Sequence, residues 1–390
     1  MSFVDRCDNH KRIIEYFLAI LIYLSIPPCF VWGIRNELIL LIVFLVLLFS
    51  LSKGKTNKSN LIFTSVFVII YCYIASRDNP SAMGLIARSI LPCILVCSCE
   101  RYFGILDKFI NIYSALLIPS IVMYIIVVIC GFSLPYIEIQ PLNELKNYGY
   151  YSYPFLLTTD NHLSLNYYRF MSWFDEPGVV GTTSCVLLFL TGFNFKKWQT
   201  YPLLISGLLS FSLAFIVMLI AYILLFEPAR IKVIMIFIIL LLCIALYDND
   251  IINNLILKRL QFVNGELAGM NRTTDNMNLF MQDFIRSNKL FFGYGNQYAS
   301  IVNNGGASYK DLIVNYGIFG FFLLVSITVI FAWHKLKFSR YFFIYMLIWI
   351  SVIYQRPFIN SFFYFSLLYL PLYYFDIQYK HNCPTKILHK

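Results

Sequence analysis

Residues 201–226 read YPLLISGLLSFSLAFIVMLIAYILLF, and how this stretch meets a bilayer decides the topology of the chain. An α-helical span needs about twenty apolar residues. The run of 26 residues is too short for two full spans and longer than one requires. Ser210-Phe211-Ser212 interrupts it, and serine side chains can satisfy backbone groups freed at a break. The flanking charges arbitrate, because cytoplasmic loops carry an excess of lysine and arginine. With the N-terminus in the cytoplasm, Lys53, Lys55, Lys58, Arg101, Lys108, Lys196 and Lys197 fall inside. A single crossing by 201–226 would put Arg230, Lys232, His334, Lys335, Lys337 and Arg340 outside. An entering and returning pair keeps them inside, together with Lys380, Lys386 and Lys390. The stretch therefore reads as a broken pair hinged near Ser210–Ser212. Its turn would lie at membrane depth, where it must line protein or a watery cavity.

Further apolar runs occupy 13–32, 38–51, 61–75, 83–98, 109–130, 179–195, 231–246, 312–331, 341–353 and 362–374. The chain is 59% hydrophobic and 13% charged, with a mean hydropathy of +0.70. A soluble domain is nearer half apolar and a quarter charged. Lipid offers backbone amides no partner outside the segment, so spans must be helices or a closed barrel. The runs are continuously apolar and do not alternate, which excludes the barrel. The expected fold is all-α: a single polytopic membrane domain over 1–390 with about eleven or twelve transmembrane helices. Arg6, Lys11 and Arg12 precede the first run and no small-residue cleavage site follows it, so it is expected as a retained helix and not a cleaved signal.

This parity puts two large loops, 131–176 and 247–310, on the same non-cytoplasmic face, and both termini in the cytoplasm. Arg35, Arg77 and Arg356 fall in short turns on that outer face. In a bacterium the face is periplasmic and the membrane is the inner one. The net charge of +10 resides in short loops between apolar runs, as the positive-inside bias requires, and not in a basic stripe for nucleic acid. Most of the ten cysteines lie within apolar runs and the two long loops hold none, which argues against a disulfide framework or a zinc site. No Walker motif is present, and no His, Cys and Asp cluster suggests a metal, so neither a nucleotide nor a metal cofactor is expected.

The charges of chemical interest lie at the loop ends. Tyr168-Arg169-Phe170-Met171-Ser172-Trp173-Phe174-Asp175-Glu176-Pro177-Gly178 stands at the mouth of an apolar run. Helix capping explains one carboxylate and the proline. The second carboxylate, and Arg169 upstream, remain for a catalytic or orienting role. Arg259, Arg272 and Arg286 lie in the second loop, and Arg356 follows Gln355 at the outer end of a late helix. A guanidinium keeps its charge and offers a planar fork suited to a diphosphate or a carboxylate. Converging arginines would make an anion site; singly, each also fits a lipid headgroup or an acidic partner. Gly293-Tyr294-Gly295-Asn296 lacks the strand and the Gly-Lys-Ser of a phosphate loop and reads better as a tight backbone bend. The aromatic residues of the first loop, Tyr148, Tyr150, Tyr151, Tyr153, Tyr167, Tyr168 and Trp173, suit either sugar stacking or an interfacial belt.

The order of these features resembles the O-antigen polymerase family of bacterial inner-membrane glycosyltransferases, within a wider polymerase and ligase superfamily. Carrying the resemblance are Arg169 with Phe174-Asp175-Glu176-Pro177-Gly178, the serine-bearing segment 208–214, Lys258-Arg259-Leu260, Arg272 and Phe292-Gly293-Tyr294-Gly295. Ser308-Tyr309-Lys310-Asp311 with Gly317 and Gly320, and Gln355-Arg356-Pro357, complete it. It covers about 169 to 369; the first half matches in hydropathy alone. Relatives often carry an arginine after the mid-chain serines, whereas Leu213 and Ala214 follow Ser212 here.

The resemblance implies transfer of a growing glycan from undecaprenyl diphosphate to a sugar hydroxyl of the next lipid-linked repeat unit, without metal or nucleotide sugar. It assigns Arg169, Glu176, Arg272 and Arg356 to catalysis. Asp175, Arg259, Arg286, Gly293, Gly295 and Gln355 are assigned to substrate binding. The implied partners are the undecaprenyl-diphosphate-linked oligosaccharide, the lipid bilayer and a polysaccharide chain-length regulator, with no nucleic acid. An O-antigen ligase acting on a lipid A core is the nearest alternative, and a polysaccharide flippase is a second.

Overall fold

Apolar segments that must satisfy their own backbone hydrogen bonds emerge as helices throughout the described part of the chain. A computed structural model describes residues 3–26, 39, 41–43, 45–46, 58–77, 102, 104–140, 149–161, 165–230, 232–233, 261–263, 266–267, 275–295, 298 and 308–382. In chain order the first helices are α1 (Phe3–Leu24), α2 (Lys58–Arg77) and α3 (Ile105–Tyr124, continued by a π-helical turn Ile125–Ile129). Strands β1 (Ile137–Ile139), β2 (Tyr150–Tyr153) and β3 (Leu156–Thr159) and a 3-10 turn (Leu165–Tyr168) follow. Then come α4 (Pro177–Thr191), α5 (Thr200–Leu209) and α6 (Leu213–Phe226), and the short pair β4 (Phe262–Val263) and β5 (Glu266–Leu267). The chain closes with α7 (Asp275–Arg286), α8 (Tyr309–Leu336), α9 (Arg340–Gln355) and α10 (Phe362–Asn382). Among the described residues, Asn60–Arg77, Ile105–Ile129 and Tyr309–Leu336 are long and apolar enough to cross a membrane. The expected spans 83–98 and 231–246, and most of 38–51, lie outside the described residues, as does Arg35.

The chain divides into two compact units, Met1–Ile112 with Thr273–Lys390, and Tyr113–Arg272. In the first, α2 packs on α8, which also contacts α9 and α10. Its core is aromatic: Phe67 meets Phe331 and Tyr369 edge-on, at centroid distances of 5.8 and 5.1 Å. Edge-to-face contact suits the ring quadrupole. The Tyr369 hydroxyl, buried among these rings, lies 3.5 Å from Thr328 Oγ1.

Helix α8 is not continuous. Gly317 sits at φ 74° and ψ 173°, a backbone region that is essentially glycine-only. The groups freed there are taken up by the 290–295 segment. Ile318 N donates to Leu290 O (2.9 Å) and Phe319 N to Phe291 O (3.1 Å). In the other direction, Tyr294 N donates to Val314 O (2.9 Å) and Gly295 N to Asn315 O (2.9 Å). A stretch expected as one uninterrupted span, 312–331, is thus a short arm and a long arm joined by backbone pairing with a loop.

In the second unit, α4 is buried along its whole length, against α5 and α6. Small side chains permit this: a Cβ at Gly181 would stand 2.4 Å from Ser212 Cβ. Ser184 Oγ and Ser206 Oγ share a hydrogen bond of 3.0 Å. Close packing of small residues with hydroxyl pairing is how helices associate without a hydrophobic drive. The run 201–226 breaks at the expected serines. Helix α5 ends at Leu209, Phe211 has φ 45°, and α6 starts at Leu213. Ser210 Oγ donates to Gly207 O (2.6 Å) and accepts from Ser212 N (3.3 Å).

The first large loop is more ordered than its polar composition suggested. Strands β1, β2 and β3 form an antiparallel sheet in that order. Tyr153 pairs with Leu156 around a two-residue turn. Pro154 pre-sets φ at the first turn position, and Phe155, at φ 63°, takes the place usually given to glycine.

Candidate functional site

Two clusters hold the candidate residues, one in each unit. In the second unit, the segment that enters α4 is bonded to the sheet, to α3 and to the break between α5 and α6. Ser172, at φ 53°, accepts on its carbonyl from Leu157 N (2.7 Å). Ser120 Oγ on α3 contacts Phe155 O (2.5 Å) and Ser172 Oγ (2.9 Å). Tyr124 OH donates to Tyr168 O (2.6 Å), and Tyr150 OH to Asp175 O (3.2 Å). Phe170, Met171 and Phe174 are buried beneath this frame, and Phe174 stacks parallel to Tyr113 at 6.0 Å.

Arg169 is half-buried and reaches the helix break. Its Nε donates to Ser210 O (3.2 Å) and its Nη2 to Phe211 O (3.4 Å), while Phe170 N donates to Leu209 O (2.9 Å). The last carbonyls of a helix have no intrahelical donor and carry partial negative charge. Arg169 supplies both the donors and the positive charge. The sequence placed this arginine beside an anionic ligand; the structure gives two of its bonds to a backbone.

Glu176 occupies the N-cap of α4 in extended conformation, with Pro177 next. Its side chain makes no capping hydrogen bond, so capping does not account for the carboxylate. Glu176 and Asp175 are both half-buried. Glu176→Gln is expected to shift stability by under about 1 kcal/mol, the usual worth of a charge at a helix N-terminus. Thermal unfolding of wild type and variant checks this.

In the first unit, the cluster surrounds the break in α8. Arg356 is the C-cap of α9, with its N donating to Val352 O (2.7 Å), and it is 5% exposed. A guanidinium cannot shed its charge, so burying one demands specific compensation. The residues flanking it fasten to the short arm of α8. Tyr354 stacks on Tyr309 at 6.0 Å, and Asn360 Nδ2 donates to Tyr316 OH (3.2 Å). Lys310 on the same arm donates to Asn278 Oδ1 of α7 (2.7 Å). Gln355 is the half-buried last residue of α9. Arg286 ends α7 and is exposed.

Gly293 and Gly295 are held by the pairing with α8. Gly293, at φ 72°, lies so close to the chain that a Cβ would meet Asn315 O at 2.4 Å. Gly295, at φ 104°, backs onto Arg77 O. These glycines let two backbones touch, as a tight bend requires. Sequence reasoning listed Arg77 only as a turn charge. Its Nη2 donates to Gly293 O (2.7 Å), and Tyr73 OH, one turn earlier, donates to Tyr316 O (3.0 Å). The signal available was its position at the end of α2, on the same face as the glycine loop. Arg259 and Arg272 lie outside the described residues.

No protein-family model, curated protein or solved structure matches the chain. The functional reading therefore rests on the residues themselves.

Proposed function

We propose that this chain polymerises undecaprenyl-diphosphate-linked oligosaccharide repeat units into O-antigen or capsular polysaccharide on the periplasmic face of the bacterial inner membrane. The observation that carries the reading is the burial of Arg356, at the end of a helix whose neighbours Tyr354 and Asn360 fasten to the arm of α8 that ends at Gly317. Charged side chains buried in membrane-type apolar surroundings commonly mark the path or site of an ionic substrate.

The reaction breaks the bond between the anomeric carbon of the growing chain and its diphosphate oxygen. A new bond forms from that carbon to a hydroxyl of the incoming unit. Undecaprenyl diphosphate leaves with the electron pair, and the hydroxyl proton passes to a carboxylate, assigned here to Glu176. Guanidiniums stabilise the charge developing on the leaving group; Arg356 in the first unit and Arg169 in the second are alternative candidates, as are Arg259 and Arg272. Asp175, Arg286, Gly293, Gly295 and Gln355 are assigned to holding the substrate. The chain-length regulator is the expected protein partner.

The surface glycan of a strain lacking the protein tests the reading. Surface glycan reduced to single repeats is the expected result. Complete loss from the lipid A core would point to the ligase. Lipid-linked repeats retained on the cytoplasmic leaflet would point to the flippase. An unchanged glycan ladder would sink all three.

A further inference from the structure

We propose that the three-stranded sheet of residues 137–159 carries a glycan-binding subsite in which the rings of Tyr136 and Tyr151 stack on a sugar and Glu138 accepts its hydroxyls. The proposal rests on the polymerase reading for the origin of the glycan, and on the sheet itself for the site.

Side chains alternate between the two faces of a strand. The register places Glu138 opposite Tyr151, and Tyr151 opposite Thr158, so these three form one row across one face. Tyr153 lies two residues along β2 on the same face, and Tyr136 two residues before Glu138. The ring contacts agree: Tyr136 lies 4.2 Å from Tyr151 and 5.7 Å from Tyr153, centroid to centroid. The other face presents Tyr150, whose hydroxyl is committed to Asp175 O.

Three features fit a polyhydroxylated ring. Tyr136 is 44% exposed, so part of its ring is open to the C–H surface of a pyranose, and tyrosine combines such an apolar body with a polar tip. Glu138 is exposed and Asp160 is near enough to act on the Tyr151 hydroxyl, so carboxylate acceptors border the rings. Thr158 is 2% exposed, and its Oγ1 has no hydrogen-bond partner. A buried hydroxyl is normally bonded; this one is closed to solvent, so a sugar hydroxyl reaches it only where the row parts. Burial, then Tyr167, Tyr136 and Tyr151, push the Tyr153 hydroxyl up to about 12. That phenol is therefore a neutral donor at physiological pH. The bordering carboxylates disfavour anionic lipid headgroups, and the tyrosines lie on a sheet face, not at a helix end as in an interfacial belt.

Saturation-transfer NMR tests this with the full-length protein in nanodiscs. The probe is the delipidated glycan released by mild acid from the source strain's own surface. Transfer to sugar C–H protons is expected. Tyr136→Ala should weaken Kd about tenfold, the equivalent of one stacking contact. Tyr151→Phe, which keeps the ring, should stay within about threefold of wild type. Phe132→Ala, an exposed aromatic before β1, should leave binding unchanged. Equal binding by Tyr136→Ala and wild type overturns the subsite. So does saturation passing from lipid protons instead of reaching the glycan, or displacement of the glycan by tetramethylammonium. Absence of glycan binding in a protein whose deletion still alters the surface glycan overturns the subsite and leaves the polymerase reading standing. Binding by a protein whose deletion changes nothing does the reverse.

Discussion

Arg356→Lys is expected to lower polymer yield by about a hundredfold, the usual cost of removing one preorganised donor from a developing charge. Lysine keeps the positive charge, so the compensation that tolerates a buried cation is retained in part. What it lacks is the planar fork that grips two oxygens at once. In the chain the residue lies between Tyr354 and Asn360, whose contacts to Tyr309 and Tyr316 hold the flanking backbone. Fold and function should therefore separate in this variant: thermal unfolding close to wild type, polymer almost absent. Arg356→Ala should fail in both, because it also removes the bulk of a long buried side chain, and truncating a large buried side chain costs about 2–5 kcal/mol. Conversion of lipid-linked repeat units by purified protein, read as a ladder, is the measurement. A full-length, full-yield ladder from Arg356→Lys would remove the guanidinium from the reaction.

Gly317→Ala is expected to destabilise the protein by about 3 kcal/mol or more, through strain and overlap together. The backbone there has φ 74° and ψ 173°, which costs an ordinary residue about 1–3 kcal/mol. The added methyl group would also stand 2.1 Å from Phe291 O. That carbonyl cannot retreat freely, since it accepts from Phe319 N, and its neighbour Leu290 O accepts from Ile318 N. Gly131→Ala is the control. It shares a positive φ, 69°, but a methyl group there meets nothing within 4 Å. It should cost only the left-handed penalty of about 1–2 kcal/mol. Thermal unfolding of detergent-solubilised protein, followed by intrinsic fluorescence, separates the two. Equal melting temperatures for the two variants would mean that the pairing of 290–295 with α8 does not hold the broken helix.

Comparing residues shows what was readable beforehand. Ser210 and Ser212 announced the break in 201–226, because a polar pair inside an apolar run has no other work in lipid. Gly317 entered the resemblance but did not announce a break. An isolated glycine in an apolar run is tolerated in a helix, and only its pairing with residues 290–295 makes the position special. Gly293 and Gly295 were legible as a bend, but not as a bend against another backbone. The sheet of the first loop was missed. Its strands are three or four residues long, and one turn position is held by Phe155 where the usual glycine would have marked it. The charges at 169, 175, 176 and 356 were singled out by their position at the ends of apolar runs. Their surroundings were not legible: Arg169 bonds to carbonyls about forty residues away in sequence, and Glu176 leaves unmade the cap that its position suggested.

Apolar length and loop charge by themselves settled that this chain is built of helices suited to a bilayer, because a helix closes its hydrogen bonds within one segment and needs no distant partner. The tertiary structure alone decided which carbonyls an arginine reaches, where a long helix breaks and which glycines touch another backbone. Each of those depends on two separated segments arriving at one place, and no local pattern records the meeting.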